Sequence, residues 1–363
     1  MKINHNFKIL KNKKILIGTH EIGNQMQLMA NELRNQGLYA KAVSFYNSIN
    51  HFENDINIYL GPDESKISKH YKKIKFSIKA IREYDIFHFH FRTSLYGNFL
   101  FDHIDIPLLK ILGKKVFMHF RGSDLIDQPY YLSKLNSGLF GNDIFKVRKE
   151  VSPLLTFYKK YCDGTFLSTP NMKPLIKNSK VLPQIISIPI KKPRFNFEKP
   201  LGEIRIAHAP TNRSVKGTKY IIKAVDSLIS DGYDIKLLLI ESIPHKQVID
   251  IYKRCHIGID QLFLGWYGKV SIELMMLGKP VFCYLSENIL SHQKKFEHLP
   301  IINVNHINLE NRLRHFLDNW QKLKPYARDG FSYVKKYHSQ KSVSKNLINF
   351  YARSFYKSGE STF

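Results

Sequence analysis

The chain has 363 residues, 43% hydrophobic and 24% charged, which is length for two domains and apolar material for a core in each; wholesale disorder is excluded. Lys and Arg number 56 against 30 Asp and Glu, a net charge of +26, divided evenly at 28 basic and 15 acidic residues on each side of residue 190. A basic tail is thereby excluded, and the field attracts nucleic acid, anionic lipid or phosphorylated substrates.

The opening segment, MKINHNFKILKNKKILIG, lacks the apolar region of a secretory signal, and no run approaches the ~20 apolar residues of a membrane span. Short apolar runs predict buried parallel strands over 14–18, 40–45, 56–60, 85–90, 115–120 and 164–168. A helix is predicted over 25–36, with Met26, Met29, Ala30 and Leu33 on one face. From Lys66 to Arg82 apolar residues recur at 67, 71, 74, 78 and 81 among seven basic residues. The stripe is expected to pack on its own sheet with the lysines in solvent; a basic amphipathic helix also suits an anionic lipid surface.

The proline-rich stretch 189–200 reads as an interdomain linker. Strands resume at 204–207, 235–240, 256–260, 280–284 and 301–304, with a helix over 219–230 and helical pattern from 308 to the end. The fold class is therefore α/β, two Rossmann-like doubly wound domains facing a cleft. Cys162, Cys255 and Cys283 are odd in number and none sit at metal-ligand spacing, so a reducing, cytoplasmic compartment is expected.

Two segments suit phosphate chemistry. In 257–284 a strand ends at Asp260, a loop carries Gly265 and Gly268, and a helix opens near Lys269 with Val270 and Glu273 in its first turns. Unpaired amides at a helix start suit a phosphate, and Glu273 suits ribose hydroxyls. In 204–218, Arg213 and Lys216 lie in the loop after the first strand of the second domain, where two cations suit a diphosphate. The plain alternative for both is a strand-loop-helix unit with solvated charges.

Together these segments resemble the donor half of retaining GT-B glycosyltransferases, the group 1 or family 4 type. Lys216–Gly217 match the family's Lys-Gly pair; Gly268, Glu273 and 278–281 match its glycine-and-Glu stretch, whose first Glu is Gly265 here. In the first half, 18–24 with Gly23 and Asn24 resembles the family's first glycine loop, and 84–90 resembles its Asp-Ile-Val-His strand. The stretch 115–124 resembles its strand ending in His-Gly, with Arg121–Gly122 in that place and His119 two residues earlier.

The resemblance implies an acceptor domain over 1–188, a nucleotide-sugar domain over 201–335, and a terminal helix over 336–363 returning to the first domain. It implies donor contacts from Arg213, Lys216, Gly217, Gly265, Gly268, Lys269, Val270 and Glu273. Catalytic roles fall on His119, Arg121 and Asp124, with Gly23 and Asn24 on the acceptor side; His88 and His90 read as core. It implies a hexosyltransferase acting with retention, with a nucleotide-diphosphate sugar as donor and a glycan or lipid-linked acceptor in bacterial surface glycan synthesis. No cofactor and no metal are expected, and no Asp-x-Asp cluster marks a strand end. The protein is expected in the cytoplasm, with peripheral contact to an anionic membrane. A non-catalytic sugar- or partner-binding relative and a nucleotide-sugar epimerase are the alternatives; a nucleic-acid binder is disfavoured because the basic residues are dispersed.

Overall fold

The computed structural model describes the chain except residues 1, 47–52, 59, 62, 97–102, 138, 140–144, 187–192, 194–197, 292–297 and 357–363. Most of the 189–200 linker lies outside the described residues, as does the end of the terminal segment. The chain forms two compact units. The first comprises Met1–Asp127, Val147–Ile185 and Gln340–Phe363; the second comprises Gln128–Lys146 and Ile186–Ser339.

In the first unit the elements run α1 (Lys2–Leu10), β1 (Lys14–Thr19), α2 (Gln25–Asn35), β2 (Tyr39–Ser44), β3 (Ile56–Asn57), α3 (Lys66–Glu83), β4 (Ile86–His90), α4 (Asp105–Ile111) and β5 (Lys115–Phe120). After an excursion, α5 (Gln128–Asn136), that belongs to the second unit, α6 (Ser152–Tyr161), β6 (Gly164–Leu167) and β7 (Lys180–Val181) complete its sheet. All strands pair in parallel in the order β3-β2-β1-β4-β5-β6-β7. Strands such as β4 and β5 are buried almost throughout because helices cover both faces, which is why they read as continuous apolar runs. The two-residue β7 is too short to leave such a signal.

The second unit runs β8 (Ile204–His208), α7 (Arg213–Lys216), α8 (Thr218–Ser230), β9 (Ile235–Leu239), α9 (His245–Arg254), β10 (Ile257–Ile259), α10 (Lys269–Met276), β11 (Val281–Cys283), α11 (Glu287–Ser291), β12 (Ile302–Asn303), α12 (Leu309–Asp318) and α13 (Lys324–Tyr337). Its parallel sheet has the order β12-β11-β10-β8-β9. The α5 segment joins this unit, where the Tyr131 hydroxyl donates to the Phe263 carbonyl at 2.9 Å. The last helix, α14 (Gln340–Tyr356), lies in the first unit. Its Val343, Leu347, Ile348 and Tyr351 share one buried cluster with Met29 and Leu33 of α2 and Ile15 and Ile17 of β1.

One expectation is reversed. The apolar stripe of α3 does not pack on the sheet: Ile67 is 81% exposed, Tyr71 64%, and Ile74 and Ile78 are exposed as well. The residues of α3 that are buried are Lys73, Ser77 and Ala80. Small side chains at 77 and 80 let the helix sit close, and Lys73 lays its stem inward, its ammonium 5.9 Å from the Phe45 ring centre. The next helix repeats the pattern, with Ile104, Leu108, Ile111 and Leu112 exposed along α4. The crossovers β3 to β4 and β4 to β5 step in the same direction along the sheet, so right-handed connections place α3 and α4 on the same face.

Candidate functional sites

In the second unit the chemistry gathers at the carboxyl ends of β8 and β10. Asp260 directly follows β10 and is fully buried. Its Oδ1 accepts from the Lys216 ammonium at 2.6 Å, and its Oδ2 accepts from the Gly268 amide at 2.6 Å and the Ser271 hydroxyl at 2.7 Å. Burial opposes ionisation of this carboxyl, but the Lys216 charge and these hydrogen bonds outweigh it and hold the pKa below the usual range. One buried carboxylate thus ties α7 to the start of α10. The sequence marks it only as the end of a strand.

Arg213 and Lys216 were expected in a loop; they occupy a one-turn helix capped by Asn212, whose side chain accepts from the Val215 amide at 3.1 Å. They part ways there. Lys216 turns inward to Asp260, whereas Arg213 is 58% exposed and forks onto Glu241, with Nε donating at 2.9 Å. Gly217 then takes a left-handed φ of 77°, and a Cβ on it would stand 3.1 Å from Leu262 Cβ and from the Phe263 ring. A Cβ on Gly268 would stand 3.3 Å from Asp260 Oδ2 and 3.4 Å from Lys216 Nζ. Gly217 therefore requires glycine, whereas at Gly268 a Cβ would sit tight against the Lys216–Asp260 pair.

At α10 the Lys269 and Val270 amides belong to the first turn, which has no intrahelical acceptors for its N–H groups. Glu273, nearly buried, accepts from His245 Nε2 at 2.6 Å and has the Lys269 ammonium 3.4 Å away, all on Oε1. The His245 contact was not expected. Gly265 takes a φ of 72° in the loop, and its carbonyl accepts from the Ser286 amide at 3.0 Å. Gln261 braces that loop, donating to the Trp266 and Tyr284 carbonyls at 2.9 Å each and accepting from the Phe263 amide at 2.7 Å. At the end of β8, His208 donates through Nδ1 to the Ile259 carbonyl and accepts from Thr218; burial pulls its pKa down to about 4.

In the first unit the ends of β1, β4, β5 and β6 carry the polar groups. Gly23 and Asn24 are left-handed, with φ of 65° and 62°, at the entry to α2. Beside them Glu21, missed in the sequence, accepts from the Met26 amide at 3.3 Å and the Gln27 amide at 3.2 Å; burial raises its pKa. His119 does not reach an open surface. It is fully buried, stacked on His88 with centroids 5.5 Å apart, and its Nε2 stands 3.3 Å from Ser168 Oγ. Its place at the penultimate position of β5, between β4 and β6, puts it in the core.

His88 and His90 are equally buried. Burial and the Arg121 charge keep all three imidazoles neutral, with His88 lowered to about 3 and the others well below their usual value. Their ring nitrogens lie within 4.8 Å of one another, a spacing open to a cation. The Arg121 guanidinium, 2.9 Å from His90 Nδ1, sets a fixed positive charge against that cluster and disfavours a divalent ion.

Arg121 also donates to Ser168 Oγ at 3.1 Å. Burial lowers its pKa to about 10 against the opposing pull of Glu21 and Asp124. Asp124 is fully buried and anchors the turn after β5, its Oδ1 accepting from the Arg121 amide at 2.9 Å and the Gly122 amide at 2.8 Å. Burial raises its pKa.

No protein-family description matches the chain, and no curated protein matches its sequence. Solved structures do. The chain is similar to sucrose-phosphate synthase from Thermosynechococcus elongatus, with 12% identity, 95% of this chain and 100% of that one covered, and a TM-score of 0.62. It is similar to HepE from Anabaena in complex with UDP-glucose, with 10% identity, 94% and 100% covered, and a TM-score of 0.53. It is also similar to a Listeria monocytogenes protein assigned as a UDP-N-acetylglucosamine 2-epimerase, with 13% identity, 96% and 98% covered, and a TM-score of 0.53. At these identities the shared property is the fold: two Rossmann-like parallel α/β units of the GT-B class.

Proposed function

We propose that the chain is a nucleotide-sugar-dependent glycosyltransferase. The observation that carries this reading is the buried Lys216–Asp260 pair, which sets an ammonium, Gly268 and the first turn of α10 together at the carboxyl ends of β8 and β10. The donor is a nucleotide-diphosphate sugar. Its diphosphate meets Lys216 and the Lys269 and Val270 amides, its ribose meets Glu273, and Arg213 stands at the rim. Transfer breaks the bond between the anomeric carbon and a diphosphate oxygen, and the departing group gains negative charge. A fixed ammonium and a helix start stabilise that charge more in the transition state than in the ground state.

The departing phosphate takes the acceptor's proton, so retention and metal independence belong to the proposal, resting on the resemblance to GT-B enzymes of this type. The first unit, through Gly23, Asn24 and Arg121, takes a glycan or lipid-linked acceptor of a bacterial surface. Calorimetry with UDP tests the donor site: Lys216→Ala and Glu273→Ala each weaken binding by about 1–3 kcal/mol. Unchanged affinity in both variants removes the site.

Peripheral membrane contact belongs to the proposal, supported by the exposed faces of α3 and α4. Apolar side chains at 67, 71, 74 and 78 alternate with exposed Lys66, Lys75, Lys79 and Arg82, the pairing that an anionic bilayer takes up. No helix among the described residues is long and apolar enough to cross a membrane.

Epimerisation is the second reading, favoured by the likeness to the Listeria protein. Incubation with UDP-N-acetylglucosamine alone separates the two: a 2-epimer in the product supports epimerisation, and sugar transferred to an acceptor or to water supports transfer. Binding of UDP without either product identifies a non-catalytic relative.

A further inference from the structure

In the first unit, β1 and β4 are neighbours whose following helices leave in opposite directions along the sheet, to β2 and to β5. In sheets of this kind the loops beyond the carboxyl ends of such strands diverge and leave room for a ligand. At strand ends in that region stand two arginines, Arg92 two residues beyond the end of β4 and Arg121 directly after β5. The strands are in register, His90 beside His119, and the Phe91 amide donates to the His119 carbonyl at 3.0 Å, so the two arginines stand at the same level of adjacent strand ends.

The backbone that presents Arg92 is unusual. Phe91 and Arg92 are consecutive left-handed residues, with φ of 56° and 55°, and neither is glycine. Such residues persist only where the surroundings hold them. Here the Thr93 amide donates to the His90 carbonyl at 3.1 Å, and the His20 ring stacks on Phe91 at 5.0 Å.

The charge of this pair is poorly met. Arg92 is half-buried, its Nε is inaccessible, and it makes no hydrogen bond or ion pair among the described residues. Arg121 donates only to neutral acceptors, His90 and Ser168, and its Nε has no partner. Of the nearby carboxylates, Glu21 accepts from the amides opening α2, Asp124 Oδ1 accepts from the Arg121 and Gly122 amides while its Oδ2 has no partner among the described residues, and the exposed Glu150, which also acts on Arg92, is paired with Arg148. Both arginines interact electrostatically with Asp124, and Arg92 also with Glu150. A partly buried guanidinium without an acceptor, as at Arg92, is rare, and the planar fork of an arginine matches a phosphate or carboxylate in bidentate fashion.

We propose that Arg92 and Arg121 form a receptor for an oxyanionic group, phosphate or carboxylate, on the substrate taken by the first unit. This rests on reading that unit as the acceptor side, and it makes the acceptor an anionic one.

The full-length protein is titrated by calorimetry with sn-glycerol 3-phosphate, with glucuronate and with glycerol, in saturating UDP so that the second unit's phosphate site is filled. One of the two anions binds and glycerol does not; the anion that binds distinguishes phosphate from carboxylate. Arg92→Gln and Arg121→Gln each weaken that binding by about tenfold or more, as for lost charge-assisted hydrogen bonds. Arg92→Lys, which keeps the charge and loses the fork, falls between. UDP affinity stays within twofold in the Arg92 variants, which also shows that they fold. The proposal is overturned if neither anion binds at millimolar concentration, or if Arg92→Gln binds as the parent does. Should UDP fail to bind, the donor reading falls, and the same titrations without UDP still decide the arginine pair.

Discussion

Asp260 shows how one side chain organises a site. Its carboxylate fixes the Lys216 ammonium, the Gly268 amide and the Ser271 hydroxyl at once. Removing it leaves a nearly buried ammonium without its counter-charge, so Asp260→Ala is expected to destabilise the protein by about 3–5 kcal/mol. Because the folded pKa is depressed, this contribution is present above the unfolded value near 4 and is lost as pH falls through the folded one. The buried histidines act over a higher range. His88, His90, His119 and His208 all have lowered pKa values, so below about pH 6.5 the unfolded chain takes up protons that the folded chain refuses. Each then costs up to about 1.4 kcal/mol per pH unit until its folded pKa is reached, near 3 for His88. Urea midpoints measured from pH 7.5 to 4.5 are expected to fall steadily, and less steeply in His119→Asn; a flat profile in the parent contradicts neutral burial. Glycine at 217 is testable in the same way: Gly217→Ala combines a left-handed φ with a 3.1 Å contact and is expected to cost about 1–3 kcal/mol.

Among the elements, α3 carries the clearest lesson and a direct test. Periodicity located the helix within a residue at each end, because Ser65 caps it and apolar residues recur at helical spacing. The same periodicity misjudged which face is buried, since a repeat at helical spacing marks a face without saying that it is covered, and apolar atoms also stand on protein surfaces. Replacing Ile67, Tyr71, Ile74 and Ile78 by Ser is therefore expected to leave thermal stability within about 1 kcal/mol. Those four changes, or Gln at Lys69, Lys72, Lys75 and Lys79, are expected to reduce co-sedimentation with anionic vesicles. Equal sedimentation of parent and variants removes the membrane face. The strands were legible for the opposite reason: β1, β4, β5, β8 and β10 are buried almost throughout, and a continuous apolar run is what a parallel sheet covered on both faces requires. The site was half legible. Gly217, Gly268 and Glu273 announce themselves through local strand-loop-helix grammar. Asp260 does not, because its partner Lys216 is 44 residues away in sequence. Arg92 was equally hidden, since its interest lies in a backbone conformation and a missing acceptor.

At the scale of the whole molecule, the chain leaves and re-enters each unit. It passes out of the first unit after Asp127, returns at Val147, leaves again after Ile185 and comes back at Gln340. The first unit therefore depends on α14, whose Leu347, Ile348 and Tyr351 complete its buried cluster and whose Tyr351 hydroxyl meets His88 Nδ1 at 2.7 Å. Ending the chain at Ser339 is expected to open that unit to protease while leaving fragments of the second unit protected; mass spectrometry of limited digests reads this directly. For the intact protein, transferase turnover is expected to survive EDTA, and complete loss restored by magnesium or manganese contradicts the proposed mechanism.

The return of α14 also sets a timetable for biosynthesis. Domains emerging from a ribosome usually fold in order, the amino-terminal one first, as residues are added at about 5–20 per second. Here the first sheet is synthesised early, yet the helix that seals it follows only after the second unit has been made. Between Ile185 and Gln340 the ribosome needs roughly 8–30 s at that rate, and throughout it the apolar face of α2 and β1 lacks its cover. A nascent chain halted in that interval offers a holdase chaperone a greasy sheet, and the emergence of α14 is the event that withdraws it.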